Sequence, residues 1–319
     1  MEKWDTFDVV SDESDHRFVL QNIGRNCFTD SKCQVYKTIM KEWKILQKNL
    51  PDSIYVRVYE RRIDLLRAVI VGAAGTPYHD GLFFFDIAFP SNYPNNPPHI
   101  YYHSFGFGLN PNLYSHGLVC LSLLNTWIGK KCEKWNPSNS TLLQVLVSIQ
   151  ALVLNEKPLF NEPAYRLLTR SIFEGKSRAY NDSVFVLTCY SCLSIIRNPP
   201  ANFEEFVRKH FRERGHVILA ACIEYANGRV RVGYYGYNKI ASSSSKVVKV
   251  SASFQGSLRS VYRAMYKQFE QCGASLESFF AELELEKKQN RRKDGSGIFK
   301  KAMGKIKQAF GWKKEKKST

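Results

Sequence analysis

Apolar residues first recur with helical spacing over residues 33–50, where Val35, Ile39, Trp43 and Leu46/Leu50 share a face and Lys37, Lys41, Lys44 and Lys48 lie elsewhere. Pro51-Asp52 stops that helix. Three runs rich in β-branched and aromatic residues follow, Ile54 to Tyr59, Leu65 to Val71 and Leu82 to Phe89, and a short fourth strand fits His99–Tyr102. Turn-forming residues 72–81 and the proline-stiffened loop 90–98 separate them. One helix, then consecutive strands with short connections, predicts an antiparallel meander rather than a βαβ unit. Residues 105–136 are mostly irregular, which inside a compact domain points to function or disorder. Pro137-Ser138 then opens a helix over Leu142–Leu154, apolar on nearly every face and so expected to be buried.

Helical pattern resumes at Ala164–Phe173 and Val184–Ile196. Asn198-Pro199-Pro200 is the best internal boundary. Beyond it Phe203, Phe206, Val207, His210 and Phe211 have helical spacing, with Val217 to Tyr225 extending it. Val230–Tyr237 reads as a strand or extended segment, Ser242–Ser245 as a loop, and Leu258 to Glu286 as helix again. Residues 1–30 are polar and acidic with little periodicity and read as a flexible lead-in. The expected organisation is an α+β core over 31–198, a helix-rich extension over 199–286 that packs on the core or forms a small domain, and a tail over 287–319.

Composition sharpens this picture in two places. Hydrophobic content of 44% and charged content of 24% fit a globular protein, but the net charge of +17 is unevenly placed. From Lys287 onward 13 Lys/Arg face two acids, so most of the excess sits on the tail. There Ile298/Phe299, Ala302/Met303, Ile306 and Ala309/Phe310 share one helical face with lysines largely opposite, a basic amphipathic helix suited to an anionic membrane surface or an acidic partner. A disordered solubilising tail, or nucleic-acid contact through Lys287–Lys293, fits the same residues. The eight cysteines form no regular framework, which predicts reduced thiols and a cytoplasmic or nuclear location. The first residues lack the basic and apolar regions of a secretory signal, and Leu142–Leu154 is too short to span a bilayer.

The candidate chemistry lies in the irregular segment. Asn110-Pro111-Asn112-Leu113-Tyr114 is followed by Gly117-Leu118-Val119-Cys120-Leu121, so eight residues separate the Asn112 amide from the Cys120 thiol. A thiol can carry an acyl group, and a nearby amide can donate to the oxyanion formed when an amine attacks it. Taken singly, Cys120 fits a buried core cysteine and Asn112 a turn former. A Cys-His hydrolase would need His79, His99, His103 or His116 as base, and leaves the Asn-Pro-Asn stretch unexplained. Cys189-x-x-Cys192 has no second Cys/His pair at finger spacing, so no metal site is expected. No Gly-rich phosphate loop is evident.

The segments YHDGLFFFDIAFPSNYPNNPP, LNPNLYSHGLVCLSLLNTW and KWNPSNSTLLQVLVSIQALVLNEKPLFNEPAY resemble the ubiquitin-conjugating (E2) family, in particular the large subclass that includes the hybrid conjugating enzyme/ligases. The resemblance implies an N-terminal helix, a four-stranded antiparallel meander, a buried central helix and C-terminal helices over residues 33 to about 180. It implies that Cys120 takes ubiquitin as a thioester from the activating enzyme and passes it to a substrate lysine, with or without a ligase. Asn112 matches the oxyanion donor, and Asn110 stands where the family has a loop-bracing histidine. Ser122, Asn155 or Glu156 would gate the site. Lys37, Lys41 and Lys44 match the face offered to the activating enzyme, though a solvated face fits equally, and Asn95 and Pro137 match the ligase-facing loops. Lys130 and Lys131 lie in an insert between Trp127 and Trp135 longer than in compact members. No bound cofactor is implied, because ATP is used by the activating enzyme. A conjugating-like fold kept only for binding, with the tail as its working part, is the alternative from another class.

Overall fold

Alternation of side chains along the central strands decides the architecture, because both of their faces are apolar. The computed structural model describes residues 4–20, 33–166, 170–236, 248–277 and 281. One sheet contains β1 (Phe7–Val10), β2 (Ile54–Tyr59), β3 (Leu65–Val71), β4 (Leu82–Ala88) and β5 (His99–Tyr102), in that spatial order. Strands β2 to β5 form the antiparallel meander, and β1 pairs in parallel with β2. The lead-in reading of residues 1–30 therefore misses a fifth strand. β1 is a four-residue edge strand with no inward alternation, paired across more than forty residues, so neither periodicity nor a turn announces it.

The helices are α1 (Arg17–Leu20), α2 (Gln34–Asn49), α3 (Leu142–Ser148), α4 (Pro163–Arg166), α5 (Arg170–Arg197), α6 (Glu204–Ala226) and α7 (Ala252–Gln271). α3 runs into a π-turn over Ile149–Val153. Val147 and Leu152 remain 40% and 62% exposed there, so the apolar 142–154 segment is buried on one side only. The patterns at Ala164–Phe173 and Val184–Ile196 are carried by two unequal helices, the second of which, α5, runs unbroken to Arg197. Residues 173–197 are long and apolar enough to cross a membrane, yet half of that window is buried in the fold. The extended reading of Val230–Tyr237 is replaced, through residue 236, by turns. Gly233 and Gly236 have φ of 92° and 72°, outside strand geometry. α7 ends at Gln271 because Gly273 takes the left-handed cap position at φ 88°. The Ser242–Ser245 loop, residues 282–286 and the 287–319 tail with its amphipathic pattern lie outside the described residues.

Two apolar layers enclose the sheet. Val56, Val58, Ala68, Ile70, Phe83 and Phe85 pack with Ile39 and Leu46 of α2 and Leu142, Val145 and Leu146 of α3. On the opposite face Val69, Leu82 and Phe84 pack with α5, α6 and α7. Phe84 meets Phe203 edge-on at 5.3 Å, and Tyr55 lies 4.5 Å from Phe206. The extension is thus the second wall of the sheet, and its cluster crosses the break at Asn198-Pro199-Pro200.

That second wall buries charge. Arg67 and Asp86 are opposite one another in the β3–β4 register, and both are fully buried. Arg67 donates from Nε to Asp86 Oδ1 at 2.6 Å and from Nη1 to Asp15 Oδ1 at 2.7 Å. The Arg17 amide donates to Asp86 Oδ2 at 2.8 Å, and His103 Nε2 lies 3.0 Å from the same oxygen. Burial alone would raise the Asp86 carboxyl, but His103 and Arg67 outweigh it and hold it far below the ordinary carboxylate range. The N-terminal segment is drawn in by this demand, and Asp15 Oδ2 also takes the Ala201 amide at 3.0 Å.

Replacing Asp86 with Ala removes the buried partner of the Arg67 guanidinium, leaves it only Asp15 at the rim, and should cost about 3 kcal/mol, read as a lower urea midpoint. For the wild type the sign follows from the depressed folded-state pKa. The Asp86 contribution is complete above about pH 4 and is lost as pH falls further, so acid titration of stability should be shallower in Asp86→Ala.

Candidate active site

β5 leads into a segment that has almost no ladder of its own, so side chains must satisfy its backbone. Asn110 Oδ1 accepts the Asn112 amide at 2.8 Å, closing a turn across Pro111. The chain then doubles back, with isolated bridges Asn110–Leu113 and Leu113–Val119. Gly117 makes the return possible. Its φ is 96°, and a Cβ there would stand 2.1 Å from the Tyr101 ring. This return sets Cys120 beside Asn112. The Cys120 amide donates to Asn112 O at 2.9 Å, and Asn112 Nδ2 donates to Cys120 O at 2.9 Å. The amide has two N–H groups, and this bond uses one of them.

Asn110 does brace the loop, from a position that is 5% exposed. Its Nδ2 donates to Tyr78 Oη at 2.8 Å and to Val153 O at 2.7 Å. Tyr78 in turn donates to Leu109 O, and Asn161 Nδ2 reaches Asn110 Oδ1 at 3.3 Å and Val153 O at 3.1 Å. Behind Cys120, Asn125 takes a left-handed turn at φ 57°, which brings Thr126 back to donate to Val119 O and accept from the Leu121 amide. Tyr78, Thr126 and Asn161 carry no signal in the sequence beyond their polarity. Their partners arrive from up to 51 residues away.

Cys120 is 4% exposed. Burial pushes its thiol up, and a hydrogen bond from the Tyr114 hydroxyl partly offsets this. Tyr114 is itself pushed up by the neighbouring sulfur and is 40% exposed. Its proximity to the thiol depends on the return at Gly117 and escapes a reading of spacing.

The remaining sequence-predicted residues fall in three places. Ser122 opens a 3-10 turn and faces the insert, since a Cβ on Gly129 would stand 2.4 Å from its Oγ. In that insert Lys130 and Lys131 are exposed, and Ile128 is 96% exposed. Asn155 donates to Leu152 O and to Asn161 Oδ1, both at 2.7 Å, while the Glu156 carboxylate accepts from Tyr234. Lys37, Lys41 and Lys44 are exposed on α2, and Asn95 and Pro137 are exposed on their loops. Glu42, which spacing places on an ordinary amphipathic helix, ties these loops to α2. It is buried, accepts Tyr93 Oη at 2.6 Å and takes the Leu142 amide at 3.0 Å. Trp135 Nε1 then joins the two loops by donating to Pro94 O at 2.6 Å.

The histidines considered as a base for Cys120 have other contacts. His79 sits between Asp80 at 2.8 Å and Tyr225 Oη at 2.9 Å, and His103 lies against Asp86. His116 lies against the Tyr114 ring at 5.4 Å, and His99 is near Phe18. Cys189 and Cys192 are buried in the α5 core, and burial pushes both thiols up.

Residues 38–186 match the ubiquitin-conjugating enzyme family. An Arabidopsis thaliana protein carrying the name ubiquitin-conjugating enzyme E2 38 is 51% identical over 255 residues, covering 78% of this chain and 77% of that one. Another, carrying the name ubiquitin-conjugating enzyme E2 23, is 46% identical over 274 residues, covering 86% of this chain and 24% of its own length. The dual E2 ubiquitin-conjugating enzyme/E3 ubiquitin-protein ligase BIRC6 of Homo sapiens is 38% identical over 239 residues, covering 70% of this chain. The chain thus spans most of one relative but 24% and 5% of the other two. A sheet of this topology, an asparagine side chain bonded to the backbone of the buried cysteine, and identity of this extent have a common reading: the chain belongs to the ubiquitin-conjugating enzyme (E2) family of ubiquitin transferases.

Proposed function

We propose that this chain carries ubiquitin on Cys120 and delivers it to a substrate lysine. The reciprocal Asn112–Cys120 pairing supports the reading most strongly, because it fixes the Asn112 amide against the backbone of the residue that carries the buried thiol. In the first step the Cys120 thiolate attacks the thioester carbonyl of ubiquitin on the activating enzyme. The new C–S bond forms as the old one breaks, and the activating enzyme's thiolate leaves. ATP is spent there and not on this chain. In the second step a neutral lysine amine attacks the same carbonyl, and the Cys120 sulfur departs as the C–N bond forms and the amine loses a proton. Charge gathers on the carbonyl oxygen, where the free Asn112 N–H can meet it, a contribution that in comparable sites is worth about 10²–10³ in rate.

The exposed lysines of α2 steer the acidic activating enzyme by long-range attraction. The loops of Asn95 and Pro137, fastened by Trp135, offer a surface to a ligase. The extension and tail recruit substrate, and the tail's basic face suits an anionic surface or an acidic partner. This work takes place in the cytoplasm or nucleus.

The carrier step is tested by charging. Protein, activating enzyme, ATP and ubiquitin should yield one reductant-sensitive adduct on a gel, lost in Cys120→Ala and turned into a reductant-resistant ester in Cys120→Ser. Folded wild-type protein that takes up no ubiquitin would refute the proposal. Asn112→Ala should still charge, but release ubiquitin to free lysine about 10²–10³-fold more slowly. The raised thiol predicts that alkylation at Cys120, followed by peptide mapping, accelerates with pH past about 8.5. Tyr114→Phe removes a donor to the thiolate, so its profile should move to still higher pH.

A further inference from the structure

The segment after α6 reaches the β3–β4 turn and the residues that follow α3. Gly233 O accepts the Gly75 amide at 2.9 Å, and at φ 92° the two backbones touch so closely that a Cβ on Gly233 would lie 3.1 Å from Gly75 C. The buried Tyr225 hydroxyl takes the Gly233 amide at 3.0 Å and the Tyr235 amide at 3.3 Å. Tyr234 is therefore pinned through its neighbours on both sides. Its hydroxyl donates to Glu156 Oε1, while Asn181 of α5 donates to Glu156 O at 2.8 Å.

Glu156 adjoins the network that braces the catalytic pair. Asn155 donates to Asn161, Asn161 to Asn110, and Asn110 holds the Asn112 amide. Farther along the same segment, Glu162 lies close enough for its charge to act on the Tyr114 hydroxyl that contacts the thiol. Two cavities, of about 840 and 350 Å³, are both lined by Glu156 and Tyr234. With open space on either side, the hydrogen bond rather than close packing sets where Glu156 stands.

We infer that Tyr234 of the extension is a positioning residue for the transfer step, holding Glu156 so that the 153–161 segment keeps Asn110, and through it Asn112 and Cys120, in register. The inference rests on the transfer function proposed above. It assigns the extension a part in aligning the attack on the thioester, in addition to covering the sheet. Uptake of ubiquitin is aligned by the activating enzyme as well, whereas attack by a small amine depends on the geometry this chain supplies.

The test separates the two steps with Tyr234→Phe, Glu156→Ala and the double variant. Charging by the activating enzyme and thermal midpoint should match wild type. Discharge of the purified thioester to free lysine should slow roughly tenfold in each single variant. The double variant should be no slower than the singles within about twofold, because both remove one interaction. Discharge within about twofold of wild type overturns the inference, as does an equal loss in charging or single effects that multiply. A wild-type chain that takes up no ubiquitin overturns the transfer reading and this inference with it. Normal discharge from Tyr234→Phe overturns this inference alone.

Discussion

Burial of both faces of one sheet is the constraint on which the rest of this structure depends. β4 has the sequence LFFFDIA and every one of its residues is buried. Its apolar side chains each gain about 1.5–3 kcal/mol from leaving water, but they do so only if helices cover both sides. α2 and α3 cover one face, and α5, α6 and α7 cover the other. Asp86 sits in the middle of that strand, so the same burial obliges the fold to supply cations and donors. Arg67 comes from the adjacent strand and the Arg17 amide from the N-terminal segment, where Asp15 in turn accepts from Arg67. A segment of low hydrophobicity is thereby ordered by electrostatic demand from the core.

The catalytic loop faces the opposite problem. Leaving the sheet, it has backbone groups that are buried without a ladder, and such groups are costly unless paired. Asn110, Asn112, Thr126 and Asn161 supply the pairing from short amide and hydroxyl side chains. The concentration of asparagine around Cys120 thus answers a backbone demand. Asn110 ties the backbone to Tyr78 and Asn161, while Asn112 serves the backbone with one of its two N–H groups. Rigidity in this loop is a property of its side-chain network, and so it is open to influence from whatever touches that network, including Glu156 and the extension.

The same logic links the distant faces. Glu42, buried on α2, reaches Tyr93 and Leu142, and Trp135 joins the loops that carry Asn95 and Pro137. Burial raises the Glu42 carboxyl, and the donors from Tyr93 and Leu142 oppose the shift. The lysine-bearing helix and the two loops are therefore one mechanical unit.

Local order was legible in the residues themselves. A helical period marked α2, and runs rich in β-branched and aromatic residues marked β2 to β5, because such residues are the ones that pack on a buried sheet. That Asn112 and Cys120 act together followed from the resemblance to the family, since taken singly they fit a turn former and a buried cysteine; the structure brings them together. The tertiary structure alone decided which residues from elsewhere complete these elements. Phe7–Val10 becomes a strand only because β2 offers an edge, and Asp86 is tolerable only because Arg67, the Arg17 amide and His103 converge on it. Tyr78 reaches Asn110 across 32 positions, and Tyr234 reaches Glu156 across 78. A polar residue shows in sequence that it will need a partner when buried. Which partner it finds depends on how whole elements pack, and local spacing carries no record of that.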